Sequence, residues 1–424
     1  MNSEAANTQD TVPQGKARSC RNGAGGEIHV DVFDNFDELA PIQQEWDNFV
    51  ESVGAEIFLT YDWCRVWWKY YGKNRSLRIF VFRYEGALVG IIPLFLEKIW
   101  LGPISVRVVK IVGSDFTIAQ FSLPIHNKHI KEVIQKFYEL VSSEHNWDII
   151  HIGPIAGLYA TCGELKDTFS EFFGNSNYVS IANKSVQTYF ELSSSWDEQV
   201  SKLRKKEREK FRRNYRKIKS GNLSLSSCFS TEKDFEDVFR DFVEMHQYHW
   251  QKLDRGGHFC DWPDAICFHR EVAEAQLKHN RLRLFKVSLC NLPVGYQYGY
   301  KFGDKYFSLL GARSDDSNLS QFSLGKILFA EQSKHAIAEN AQYIDSMQGR
   351  YEHKLRFGGQ LFPVKSIYIY PVRLGMLLRL FIFRALARLL DVCYYKIWFC
   401  RIAPILPFKR KALWKIWIRT RSFA

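Results

Sequence analysis

The chain has 424 residues, 46% of them hydrophobic and 25% charged, a balance that suits packed domains and excludes general disorder. That length predicts two or three domains, each with a core of its own. The net charge of +12 is concentrated in two places: Lys202–Lys219 holds 11 basic residues against Glu207 and Glu209, and Pro371–Ala424 holds 12 against Asp391, leaving a nearly neutral body.

In chain order, residues 1–27 are polar and Gly-rich without an export-type apolar run, and read as a disordered tail. A helix over Phe36–Ser52 and another over Asp62–Tyr71, capped by Thr60, precede a hairpin LRIFVFRY/ALVGIIPLF turned at Glu85-Gly86. A strand at Val106–Val112, a helix at Lys128–Ser142 and a strand WDIIHI complete the first half. The run Lys202–Lys219 has helical propensity and stops at Gly221. A helix over Glu232–Lys252 and another over Asp264–Lys278, burying Cys267 and Phe268, lead into the second half. There three strands (RLRLFKVSL, VGYQYGYKF, KYFSLLGA) are followed by a polar loop, a helix from Phe322 to Glu339, a short strand YIDSM, and QGRYEHKLRFG. Matching starts in the two halves (Leu77 and Arg281, Leu88 and Val294, Ser105 and Lys305, Asp148 and Tyr343) lie 204, 206, 200 and 195 residues apart, which predicts two copies of one architecture.

The order of elements resembles the GNAT acyltransferase fold, and the wording resembles its CelD-like branch, the acetyltransferase-6 domain. His246 and Trp250 match the branch's His-x-x-x-Trp pair, and Ser323-Leu324-Gly325 its helix start, with Leu in place of Pro. Asp345, Gly349, Lys354, Arg356, Phe357 and Gly358 match its closing motif. Arg350 and Tyr351 stand where the family has acidic residues, and His353 where it has Tyr. The tandem organisation resembles FemAB-type transferases more loosely. The resemblance implies an α+β chain of two GNAT domains with mixed, mostly antiparallel sheets. Residues 28–195 would form a first domain with a degenerate cofactor loop. Residues 196–370 would form a second, opening on the basic helix 202–219 and carrying the acyl-CoA site, with 371–424 as a basic amphipathic helical tail.

The activity implied is direct acyl transfer from acetyl-CoA to an amine, with an amino sugar or a polysaccharide precursor of cellulose or exopolysaccharide synthesis as acceptor. Three requirements follow. Main-chain amides over Gln321, Phe322, Ser323, Leu324 and Gly325, at the start of a helix whose first N–H groups lack partners, suit a diphosphate. Leu310, Gly311 and Ala312 stand where the fold's splayed strand polarises the thioester carbonyl. His246, Glu352 and His353 are candidates for the proton acceptor, with structural roles open for each. Trp250, Asp345, Gly349, Lys354 and Arg356 are candidates for substrate contact.

His258, Cys260, Cys267 and His269 lack the close Cys-x₂₋₄-Cys spacing of structural zinc, so no metal is expected. Nine scattered Cys without an export signal point to reduced thiols and a cytoplasmic location. The tail alternates apolar runs with Arg, so it is not a spanning helix. Its apolar body and basic face suit a helix lying on an anionic membrane at the inner face, the rival being packing on the protein body or on a second subunit. The alternatives in function are a FemAB-like aminoacyl transferase, with tRNA on the basic helix, and a non-catalytic membrane-associated scaffold.

Overall fold

The computed structural model describes residues 26–116, 121–144, 146–156, 161–252, 257–403 and 412–424, so most of the polar N-terminal tail, part of the loop after the third hairpin strand of the first half, and residues 404–411 lie outside it. The first half supplies β1 (Ile28–Phe33), α1 (Gln43–Ser52), α2 (Tyr61–Tyr71), β2 (Ser76–Tyr84), β3 (Ala87–Leu101), β4 (Ile104–Ile111), α3 (Ile130–Glu144), β5 (Ile149–Ala156), α4 (Thr161–Phe173) and β6 (Asn177–Glu191). Helices α5 (Trp196–Ser201) and α6 (Lys205–Ser220) connect to the second half. That half supplies β7 (Leu225–Phe229), α7 (Phe235–Gln251), α8 (Gly257–Asp261), α9 (Ala265–Lys278), β8 (Leu282–Leu289), β9 (Leu292–Phe302) and β10 (Lys305–Arg313). It continues with α10 (Leu324–Ala338), β11 (Tyr343–Gln348), α11 (Glu352–Arg356) and β12 (Gln360–Pro371). Helix α12 (Leu374–Leu389), a π-helical continuation Leu390–Ile402, and α13 (Trp414–Thr420) follow.

Apart from the small α8, the two halves repeat one order of elements. Their strands fuse into one sheet in the order β1-β2-β3-β4-β5-β12-β6-β11-β10-β9-β8-β7. Within it only β4–β5 and β10–β11 are parallel. The last strands are exchanged: β12 inserts between β5 and β6, and β6 pairs with β12 and β11. β2 and β3 are covered on both faces, which is why they read as continuous apolar runs. Trp67 of α2 meets Phe95 on one face and Phe137 of α3 meets Phe80 on the other.

Local expectations fail at three places. Thr60 does not cap α2 with its side chain; its hydroxyl donates to the Ile57 carbonyl instead. Cys267 is exposed on α9, while its neighbour Phe268 is buried. The long helix expected from Phe322 begins as a 3₁₀ turn, Ser317–Phe322, and becomes α-helical only at Leu324.

In the first half the opening between β4 and β5 is closed by the chain itself. Phe121 is fully buried and bridges Ile155 of β5, donating its N–H to the Pro154 carbonyl at 2.8 Å. Below it lies a buried charge cluster in which the Lys110 ammonium donates to Glu97 (3.0 Å), to Asp115 (3.1 Å) and to the Arg419 carbonyl (2.7 Å).

Candidate active site

β10 and β11 pair only over Lys305–Phe307 and Tyr343–Asp345. Past Phe307, β10 follows β9 through a register shift between Ser308 and Leu310. β11 instead leaves with β6, and Met347 adopts φ 61°. The strands therefore diverge, and the β10 edge facing β11 loses its ladder partner. Leu310, Gly311 and Ala312 line the resulting cavity of about 880 Å³, with Ser323, Leu324 and Gly325 at the start of α10 on another wall. A cavity of this size takes a cofactor-sized ligand. A Cβ added at Gly325 would sit 3.3 Å from Nη1 of Arg313, so the guanidinium lies directly over the first turn of α10. The Lys326 amide is spent on the Ser323 carbonyl at 2.8 Å, so the Leu324 and Gly325 amides, the positive end of the helix dipole and Arg313 are what this end of the cleft offers an anion.

The opposite wall comes from α7. The Nδ1 atom of His249 is paired with Asp315 at 2.9 Å, and both residues line the cavity beside Trp250. Among the described residues none hydrogen-bonds Nε2 of His249. A carboxylate on Nδ1 fixes the ring and its tautomer, leaving Nε2 as the basic atom.

Residues 205–355 match the family model described as "Acetyltransferase (GNAT) domain". This part of the chain is similar to acetyltransferase (GNAT) domains. Among solved structures the chain is similar to "Crystal structure of FemX" at 12% identity, covering 78% of this chain and 96% of that one with a TM-score of 0.57, which shows the shared fold. The "Tandem GNAT protein from the clavulanic acid biosynthesis pathway" is matched at 10% identity over 80% of this chain and 98% of that one, with a TM-score of 0.39. No curated protein sequence matches. The whole chain has the tandem GNAT architecture, α+β, and the GNAT domain is of acyltransferase type.

The GNAT cleft gathers Leu310, Gly311, Ala312, Ser323, Leu324, Gly325, Trp250, His353 and Lys354 from the residues singled out in the sequence. The others lie elsewhere. Gln321 is exposed, its amide turned to the Asn318 carbonyl, and Phe322 is buried among Val294, Ile327 and Leu328. Glu352 and Arg356 are exposed on α11 outside the cleft. Gly349 serves the sheet, its N–H donating to the Val186 carbonyl and its own carbonyl accepting from Thr188.

His246 is buried below the cleft, and its Nε2 accepts from the Trp250 indole at 3.1 Å. Burial, reinforced by His249, pushes its pKa down to about 4, so it is neutral and orients Trp250 instead of meeting a substrate. Asp345 is fully buried, accepting from Gln187 and from the Met347 N–H at 2.8 Å. Burial outweighs those bonds and raises its pKa to about 7. Lys354 donates to the Ser346 carbonyl, and burial, partly offset by Asp345, lowers it to about 8. His353 is lowered by burial and then by the charges of Lys354 and Arg313.

His258 and His269 do meet, Nε2 to Nε2 at 2.8 Å, but as a pair of one half-buried and one buried ring backed by Tyr298. Among the described residues no group of three or more His, Cys, Asp or Glu could hold a metal. Sequence reasoning missed His249, Asp315 and Arg313. The last two belong to a segment that reads as an undifferentiated polar loop, and His249 stands beside a better-known pair.

Proposed function

We propose that the protein is an acetyl-CoA-dependent N-acetyltransferase whose acceptor is an amine, an amino sugar or polysaccharide precursor being the class we favour. The observation that carries this reading is the joining, in one cavity, of an unpaired β10 edge and a glycine-opened helix start roofed by Arg313. The first-turn amides of α10 and Arg313 would hold the diphosphate, and the β10 amides would hold the thioester oxygen as it gains charge. Acetyl-CoA would supply the activated acyl group, its sulfur leaving as the thiolate. His249, oriented by Asp315, takes a proton from the amine as the C–N bond forms and the C–S bond breaks. Trp250, fixed by His246, shapes the acceptor side.

The test is thermal-shift titration with acetyl-CoA. The wild type gains stability saturably, and Gly325→Trp, which fills the space under Arg313, does not. No gain in the wild type contradicts the reading. Stabilisation by tRNA but not by acetyl-CoA would move the donor to an aminoacyl-tRNA. That alternative has its own observation, the row of exposed Arg and Lys on α6, where the Lys217 ammonium reaches the Gln321 carbonyl at 3.5 Å beside the cleft.

A further inference from the structure

Helix α12 lies across β3 and β4 and buries only one side. Leu380, Phe383 and Ala387 are enclosed with Ile99, Val106, Val108 and Phe423. At 100° per residue, the opposite side gathers Leu374, Leu378, Phe381, Ala385 and Leu389 within an arc of roughly 80°. The four large residues among them are 87%, 59%, 71% and 57% exposed. A single exposed leucine is ordinary, but a continuous stripe of this kind marks an interaction surface. The π-helical continuation adds exposed Val392, Ile397 and Ile402.

The flank of the stripe decides what covers it. Arg384 and Arg388 run along one edge and Arg373 stands at the helix start, all exposed, and among the described residues none has a carboxylate partner. Arg379, on the other side of the helix, is engaged instead with Ser105 at 3.2 Å and Asp148 at 3.9 Å. The only acidic residue after Pro371 is Asp391, which is held by Lys396 (2.7 Å) and Trp417 (3.0 Å). A second copy packed stripe to stripe would bring these arginines together with no acid to accept them. An anionic lipid surface satisfies both parts, taking the apolar side chains below the headgroups and the guanidinium groups at the phosphates. Among the described residues no helix is long and apolar enough to cross a membrane, and the stripe covers one face only.

We propose that the outward face of α12 docks the protein on an anionic membrane surface. Among the described residues of the tail, this role falls to α12 and its continuation. Residues 412–424 instead belong to the body: Lys110 donates to the Arg419 carbonyl, Arg419 to Glu97 at 2.8 Å, and Phe423 packs on His151 and Tyr368. A truncation at Tyr370 would therefore uncover the buried charge cluster, and point variants are the cleaner probe.

The experiment is flotation of the full chain with phosphatidylcholine vesicles, with and without about 30 mol% phosphatidylglycerol. Wild type floats with the anionic vesicles and not with the neutral ones. Leu378→Ser/Phe381→Ser, surface changes that leave thermal unfolding in place, abolish flotation. Arg373→Gln/Arg384→Gln/Arg388→Gln weakens it by roughly fivefold for each charge removed. Wild type that stays with the unbound fraction overturns the proposal, as does binding that neither variant alters. A wild-type dimer in solution that Phe381→Ser turns into a monomer would assign the stripe to a second copy and overturn it equally.

Discussion

Three residues of α7 show how small a rotation separates the core from the cleft. Trp250 donates to His246 one turn away, yet it is His249, one position before the tryptophan, that reaches Asp315 at the cleft. His249→Gln is expected to lower transfer of the acetyl group to an amino-sugar acceptor by roughly 10²–10⁴-fold while leaving the acetyl-CoA thermal shift intact. Equal losses in His249→Gln and His246→Gln would contradict the assignment. Asp345 offers a second test. Its folded pKa of about 7 lies above the ordinary 3.8, so the folded protein keeps a proton that the unfolded chain releases. The stability tied to that proton is full below about pH 4 and is lost as pH rises through 7. Asp345→Asn removes this dependence, so its melting temperature falls less than that of wild type between those limits. Parallel curves for the two proteins would refute the buried, protonated acid.

The hairpins, the repeat and the glycine at the head of α10 were legible from sequence, because alternation and a loop-to-helix change of period are local signals. The exchange of β6 and β12 was not, since alternation identifies a strand without naming its neighbour. The place of the Arg313–Ser323 stretch in the cleft was hidden for a similar reason: Asp315 reaches His249 only where the loop meets α7, and Arg313 comes over Gly325 only in the folded chain. The C-terminal segment was legible as basic and amphipathic, but its docking depends on Lys110, some 300 residues earlier in the chain. Burial raises Glu97 in that cluster, but Lys110, Arg75 and Arg419 outweigh it and bring it down to about 2. Lys110→Met leaves Glu97, Asp115 and the Arg419 carbonyl short of a donor. It should cost roughly 3–5 kcal/mol in urea unfolding. A loss below about 1 kcal/mol would show that the α13 segment holds without it.

On the scale of the whole molecule, one sheet carries two copies of the fold with different fates. In the first, Phe121 closes the gap between the parallel strands and the C-terminal segment anchors on Lys110 beneath it. In the second, the same gap stays open and is lined by Arg313, Gly325, His249 and Lys354. The account rests on what that gap holds. A crystal structure of the protein with coenzyme A tests it most directly. The diphosphate is predicted at the first turn of α10, within hydrogen-bond reach of the Gly325 amide and Arg313, with the sulfur between β10 and β11. Coenzyme A seated anywhere else, or a cleft still empty of it at saturating concentration, would contradict the account.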